Sequence, residues 1–205
     1  MVNDPQKLQE LVAEIRRCRI CRDQPEGAPL PHEPRPVLRV SATARILIAG
    51  QAPGVRVHRS GKPFTDPSGD RLRAWLGIGP EIFYDESRIA IVPMGFCFPG
   101  LSAKGADLPP RPECAKAWRQ QLMAAMPQAQ LIIAAGLHAQ RWHLGEDWRG
   151  SLTETVAAWR ECLKRKPPAI PLPHPSWRNN TWLKNNPWFE AELLGVLRQR
   201  VSRLL

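Results

Sequence analysis

Two short segments far apart in the chain carry residue types suited to chemistry on a planar ligand. The first runs Gly50-Gln51-Ala52-Pro53-Gly54 and resumes as Ser60-Gly61-Lys62-Pro63-Phe64-Thr65-Asp66-Pro67-Ser68-Gly69. Its glycines and proline make a tight turn that brings backbone N–H groups close to a ligand. Phe64 offers a flat apolar face beside the Asp66 carboxylate, a pairing that suits a planar base. The same stretch would also serve as a plain βα turn in which Asp66 or Ser68 caps a helix beginning near Asp70. The second segment is Pro173-His174-Pro175-Ser176-Trp177-Arg178-Asn179-Asn180. Prolines on both sides fix the backbone of His174, so its imidazole is aimed at little ordering cost, and a preorganised donor is what a developing anion needs. A lone histidine at a strand end is more often structural. Here Trp177 and Arg178 follow directly, an apolar wedge and a phosphate or groove contact, and they shift the balance toward function.

These segments need a scaffold, and the hydrophobic pattern supplies one. Asp4 as N-cap, Pro5 at the first helical position and Leu8, Leu11, Val12 and Ile15 at helical spacing predict an amphipathic helix over 4–17. The apolar runs 46–49, 89–92 and 131–135, each ending at a turn residue, read as buried strands, and Ile170-Pro171-Leu172 is a weaker fourth whose prolines belong at a strand end. Helical patterns fall at 71–76, 112–126, 137–144 and 151–163, the last opened by the capping box Ser151-x-x-Glu154. A final helix starts near Asn186-Pro187, and the Pro-rich stretch 24–36 is a loop. Strands alternating with helices predict an α/β fold: a three-layer α/β/α sandwich around a four-stranded, mainly parallel sheet, one domain over 1–205. Ligands of such sheets bind beyond the carboxyl ends of the strands. The loops after Gly50, Val92 and Leu172 therefore carry the interest.

Composition narrows the partner. The 29 Lys and Arg against 19 Asp and Glu leave a formal charge of +10 on 205 residues, the footprint expected of a polyanion partner, with nucleic acid first. Charge alone would fit a merely Arg-rich protein equally well. With 22 Pro and 14 Gly, the loops should be rigid rather than low-complexity. No apolar run approaches the roughly 18–20 residues that span a bilayer, and the N-terminus lacks a signal-peptide core, which predicts a cytoplasmic protein. In that reducing compartment the five cysteines read as metal ligands or core thiols rather than disulfides. The Gly50 turn lacks the Gly-Lys-Ser/Thr ending of a phosphate-binding loop.

With G-Q-A-P-G at 50–54, S-G-K-P-F at 60–64 and H-P-S at 174–176 in this order, the chain resembles the uracil-DNA glycosylase superfamily, in particular its iron–sulfur branches, families four and five. Arg178-Asn179 after the H-P-S triplet is similar to the wedge loop of the single-strand-selective branch. The resemblance covers nearly the whole chain. It implies a monofunctional DNA glycosylase that flips uracil or a related deaminated base out of DNA and hydrolyses its N-glycosidic bond. By the same resemblance, Gly50, Gln51 and Ala52 line the base pocket, Phe64 stacks on the base, and His174 hydrogen-bonds the leaving base. Asp66 activates water, with Asp70 as the fallback, and Lys62, Ser176, Trp177, Arg178 and Asn179 contact DNA. Apart from Lys62 no lysine stands at the pocket loops as a Schiff-base nucleophile, so lyase chemistry is not expected. Cys18, Cys21, Cys97 and Cys114 match the four cysteines of those branches and imply a 4Fe-4S cluster. A structural zinc is the alternative, since it accepts the same four thiolates, and Cys162 is left as a core thiol.

The chain departs from the pattern twice. Gln51 stands where one branch places its acid, and neither it nor Ala52 can act as a general base, which moves the role to Asp66. Val92-Pro93-Met94-Gly95 stands where strict uracil enzymes carry an asparagine that reads the base edge, so selectivity must come from other groups. Gln51 and Ala52 sustain a second expectation, a non-catalytic damaged-base or nucleic-acid binding protein on the same fold. In either case the expected partner is DNA containing deaminated bases, bound by a monomer with no membrane involved.

Overall fold

The computed structural model describes residues 4–205. Helix α1 (Pro5–Arg16) begins where the sequence predicts: the Asp4 carboxylate accepts from the backbone N–H groups of Gln6 and Lys7, and Leu8, Val12 and Ile15 face the core. A single turn, α2 (Ile20–Asp23), precedes the Pro-rich stretch, and just beyond that stretch an antiparallel bridge between Arg39 and Ile91 ties the chain to the sheet. Strand β1 (Ile46–Ala49) is followed by α3 (Val55–Ser60), α4 (Pro67–Leu76) and α5 (Pro80–Phe83). Next come β2 (Ile89–Ile91), α6 (Pro112–Ala124), β3 (Leu131–Ala135), α7 (Leu137–Leu144), α8 (Leu152–Ala157) and α9 (Trp159–Cys162). Strand β4 (Ala169–Leu172), α10 (Asn180–Asn185), a π turn at Phe189–Leu193 and α11 (Leu194–Ser202) complete the chain.

The four strands order as β2-β1-β3-β4, and every pairing among them is parallel. The alternation of side chains along a strand sorts the core into two layers. Ile46, Ile48, Ile89, Ile91, Ile133 and Ile170 point to one face and pack with Leu72 and Trp75 of α4, Phe83 of α5, Val156 and Trp159 of α8 and α9, and Leu197 and Val201 of α11. Leu47, Ala49, Ala90 and Ala134 point to the other and meet Leu8, Val12 and Ile15 of α1, Leu122 of α6 and Ala139 of α7. The result is the expected three-layer sandwich. Pro171 sits inside β4, an edge strand, where a missing N–H is tolerated. Among the described residues no helix is long and apolar enough to cross a membrane.

Several stretches differ from the sequence reading, among them short helices at α5 and α10 and an earlier start of α4 at Pro67. The helix expected over 151–163 breaks at Ala158 into α8 and α9, with Val156 and Trp159 buried on either side of the break. The interval after Gly54, read as loop, holds α3, which buries only Val57 and so shows no apolar period. For function the key feature is strand order. The chain leaves β1 toward β2 on one side and returns to β3 on the other, so the turns after β1 and β3 diverge and open a crevice at their carboxyl ends.

Candidate active site

At the carboxyl end of β1 the Gly50 turn is tied to the segment after β2. The Met94 N–H donates to the Gly50 carbonyl at 3.0 Å and the Gly95 N–H to the Gln51 carbonyl at 2.9 Å. Arg119 of α6, fully buried, clamps that segment by donating to the carbonyls of Val92 and Pro93, both at 2.9 Å. The Phe64 ring lies against Gly50, where a Cβ would stand 3.3 Å from it. Phe64 is held at φ +55°, a conformation that costs a bulky residue about 1–3 kcal/mol. Its carbonyl accepts from the Tyr84 hydroxyl at 2.9 Å and from Arg73 at 3.3 Å. Gly69 supplies the room, since a Cβ there would come within 1.9 Å of the Phe64 carbonyl oxygen. Asp66 occupies the N-cap position of α4 without capping it; its carboxylate accepts from the Ser68 hydroxyl at 3.3 Å.

Beyond β4, the Ser176 N–H donates to His174 Nδ1 at 3.3 Å, and the Asn179 amide donates to the His174 carbonyl at 2.6 Å. With Nδ1 an acceptor, the neutral ring carries its proton on Nε2. Burial holds the imidazole down to about 4, with Asp66 opposing the shift and Arg178 reinforcing it. At neutral pH His174 is therefore an uncharged donor. Arg71 of α4 donates to the Ser176 carbonyl at 3.1 Å and ties the two loops together, while Trp177 stands 74% exposed.

Both segments line one cavity of about 560 Å³ at the carboxyl edge of the sheet, within the range of about 300–1,000 Å³ usual for ligand sites. Gly50, Gln51, Ala52, Phe64, Asp66, His174 and residues 176–179 all line it. Lys62 is not on the wall; its ammonium lies over the Tyr84 ring, 3.7 Å from the centroid. Nor is Asp70, whose carboxylate is 77% exposed and paired with Arg73 at 2.6 Å. Two titratable groups that the sequence reading missed take part instead. His138, in the first turn of α7, lines the cavity just after Gly136, a residue with φ +90° where a Cβ would stand 2.6 Å from the Gln51 amide nitrogen. The apolar run ending at Gly136 could have pointed to this turn, which lies at the same sheet edge as the other three. Asp107 lines the cavity from the long segment between β2 and α6, a Pro- and Gly-rich stretch with no period to betray it. Burial pushes its carboxyl upward, Arg178 opposes this and Asp66 adds to it. The assembled wall offers an aromatic platform, a neutral N–H donor and two carboxylates.

The four cysteines gather away from this cavity. Cys18 and Cys21 come from the junction of α1 and α2, Cys97 from the segment after β2 and Cys114 from the first turn of α6. Burial pushes the Cys21 thiol up to about 11, that of Cys97 up to about 12 and that of Cys114 higher still, and Cys114 senses the other three. Two sulfurs already accept hydrogen bonds: the Trp118 indole N–H donates to Cys18 Sγ at 3.2 Å and the Phe96 N–H to Cys114 Sγ at 3.3 Å. Arg119, a buried cation with no carboxylate partner among the described residues, interacts electrostatically with Cys114. Among the described residues no group of three or more His, Cys, Asp or Glu is arranged to hold a metal ion. Cys162 lies apart, packed with Leu144 and Ala169 as a core thiol.

A family model described as the uracil DNA glycosylase superfamily matches residues 39–198. The match begins at the Arg39 bridge, takes in all four strands and both cavity loops, and ends within α11. The chain belongs to the uracil DNA glycosylase superfamily.

Proposed function

We propose that this protein is a monofunctional DNA glycosylase that removes uracil or a related deaminated base from DNA. One observation carries the reading: a single cavity unites Phe64, pressed against Gly50, with Asp66 and a neutral His174, beneath the exposed Trp177-Arg178 pair. The target base flips into the cavity, because its glycosidic bond is out of reach in the stack. Phe64 stacks on it, and His174 Nε2–H donates to the base carbonyl on which negative charge grows as the C1′–N bond breaks. Asp66 orients the attacking water. Trp177 or Arg178 fills the gap left in the duplex, and exposed cations such as Arg56, Arg59, Arg178 and Lys184 meet phosphates. The protein works as a monomer in the cytoplasm.

Cys18, Cys21, Cys97 and Cys114 would hold a 4Fe-4S cluster. Support comes from the electrostatic proximity of cysteines on three chain segments, the N–H donors on two sulfurs and the buried Arg119 beside Cys114. A structural zinc, which accepts the same four thiolates, is the alternative. When bound, the cluster ties the N-terminal helices to α6 and to the segment that forms one wall of the cavity.

The test is excision from oligonucleotides carrying uracil, hypoxanthine or xanthine, followed by cleavage at abasic sites. His174→Ala should slow single-turnover excision by about 10²–10³-fold and Asp66→Asn by about 10²–10⁴-fold, each leaving affinity for undamaged DNA intact. A wild-type protein that binds these DNAs and excises nothing would favour the non-catalytic reading, which Gln51 and Ala52 sustain.

A further inference from the structure

Asp66 is not the only acid on the cavity wall. After β2 the chain is clamped by Arg119, passes Cys97 and folds back as a small hairpin. In that hairpin the Ser102 N–H donates to the Ala106 carbonyl at 2.7 Å, and Leu101 bridges Asp107. The returning limb is pinned by the Leu108 N–H on the Gly100 carbonyl at 3.0 Å. This sets Asp107 against the first loop, where a Cβ on Gly54 would stand 3.4 Å from its carboxylate oxygen. The deep wall of the cavity is apolar and buried, formed around Gly50, Pro53, Pro63 and Ile91, whereas Asp107 is solvent-exposed and so stands at the mouth. A nucleotide whose base lies against Phe64 leaves its sugar at that mouth.

Resting on the glycosylase reading above, we propose that Asp107 is a second catalytic carboxylate, stabilising the cationic sugar while Asp66 positions water. The electron pair of the C1′–N bond leaves with the base, and the sugar becomes oxocarbenium-like. The water oxygen donates the pair for the new C1′–O bond, and the water proton passes to Asp66. The base anion, steadied by His174, is protonated by solvent, and Asp107 exchanges no proton. In the free protein partial loss of water disfavours an ionised Asp107, Arg178 offsets part of that cost and the Asp66 charge adds a smaller repulsion. A cation at C1′ relieves the repulsion only in the transition state, which is what makes an interaction catalytic.

Asp107→Asn should slow single-turnover excision by about tenfold or more, the size of a unit-charge interaction in a water-rich mouth. The loss should persist in an Arg178→Ala background. A binding readout separates charge from shape: DNA with a protonated pyrrolidine abasic analogue, set against its neutral tetrahydrofuran counterpart. Asp107→Asn should lose affinity for the first and keep it for the second. Unchanged excision, equal losses on both analogues, or no effect once Arg178 is removed would overturn the role of Asp107 alone. A wild-type protein that excises no base would overturn the glycosylase reading itself.

Discussion

Gly69→Ala probes the strained backbone that presents Phe64. The new Cβ would stand 1.9 Å from the Phe64 carbonyl oxygen, 2.7 Å from its carbon and 2.9 Å from the Phe64 Cβ. The peptide must move by roughly 1.5 Å to regain ordinary contact. That movement breaks the Tyr84 hydrogen bond at 2.9 Å and loosens the one from Arg73 at 3.3 Å, costing about 1 kcal/mol for the first and about 1.5–3 for the second. Overpacking adds about 1–3 kcal/mol. Alanine returns up to about 1 kcal/mol, because Gly69 lies within α4 and alanine is the better helix former. The net loss is about 2.5–6 kcal/mol, and at about 2–4 °C per kcal/mol for a chain of this size the melting temperature should fall by roughly 5–24 °C. Thermal unfolding followed by circular dichroism measures it, with Gly27→Ala as the control, since nothing lies within 4 Å of a Cβ there. Excision at a temperature where the variant is folded should also slow, because the Phe64 platform has moved. A melting temperature equal to that of the wild type, with full activity, would refute the reasoning.

Acid stability follows from His174: its folded form is held down to about 4, while the unfolded imidazole titrates near 6.5. The unfolded chain takes up the proton first, so the stability from the neutral ring is complete above about 6.5 and is lost as pH falls toward 4. His143, buried and depressed in the same direction, adds to this limb. His174→Gln should flatten urea-unfolding stability across that window, and an unaltered slope would contradict the assignment. DNA affinity should fall steeply with salt; Trp177→Ala and Arg178→Ala should impair excision from duplex more than from single strands, and if both left paired uracil unaffected the wedge role would be lost. Protein purified without air should contain iron and labile sulfide, and Cys97→Ala should lower the melting temperature more than Cys162→Ala, because only the former opens a loop closed by the cluster. Stoichiometric zinc without iron would reject the cluster.

Much of the scaffold is legible in the sequence because its causes are local. Ile46–Ala49 and Leu131–Ala135 are apolar runs stopped by glycine, and Asp4-Pro5 before a helical period sets the start of α1. Phe64, Asp66 and His174 can be picked out because each stands in a short segment whose glycines and prolines already restrict the backbone. Other features depend on packing between distant parts of the chain. In the sequence Asp70 stands as the fallback acid and Lys62 as a DNA contact, yet Arg73 pairs with the first away from the cavity wall and the Tyr84 ring lies under the ammonium of the second. Asp107 reaches the site only because Arg119 and a small hairpin turn its segment back. His138 lines the cavity because the β2-β1-β3-β4 order sets the turns after β1 and β3 on the two sides of one crevice. A sequence determines which backbone shapes each short stretch prefers, since those preferences arise within a few bonds. Which charged side chain faces the ligand is decided by strand order and long-range clamps, whose partners carry no mark of one another along the chain.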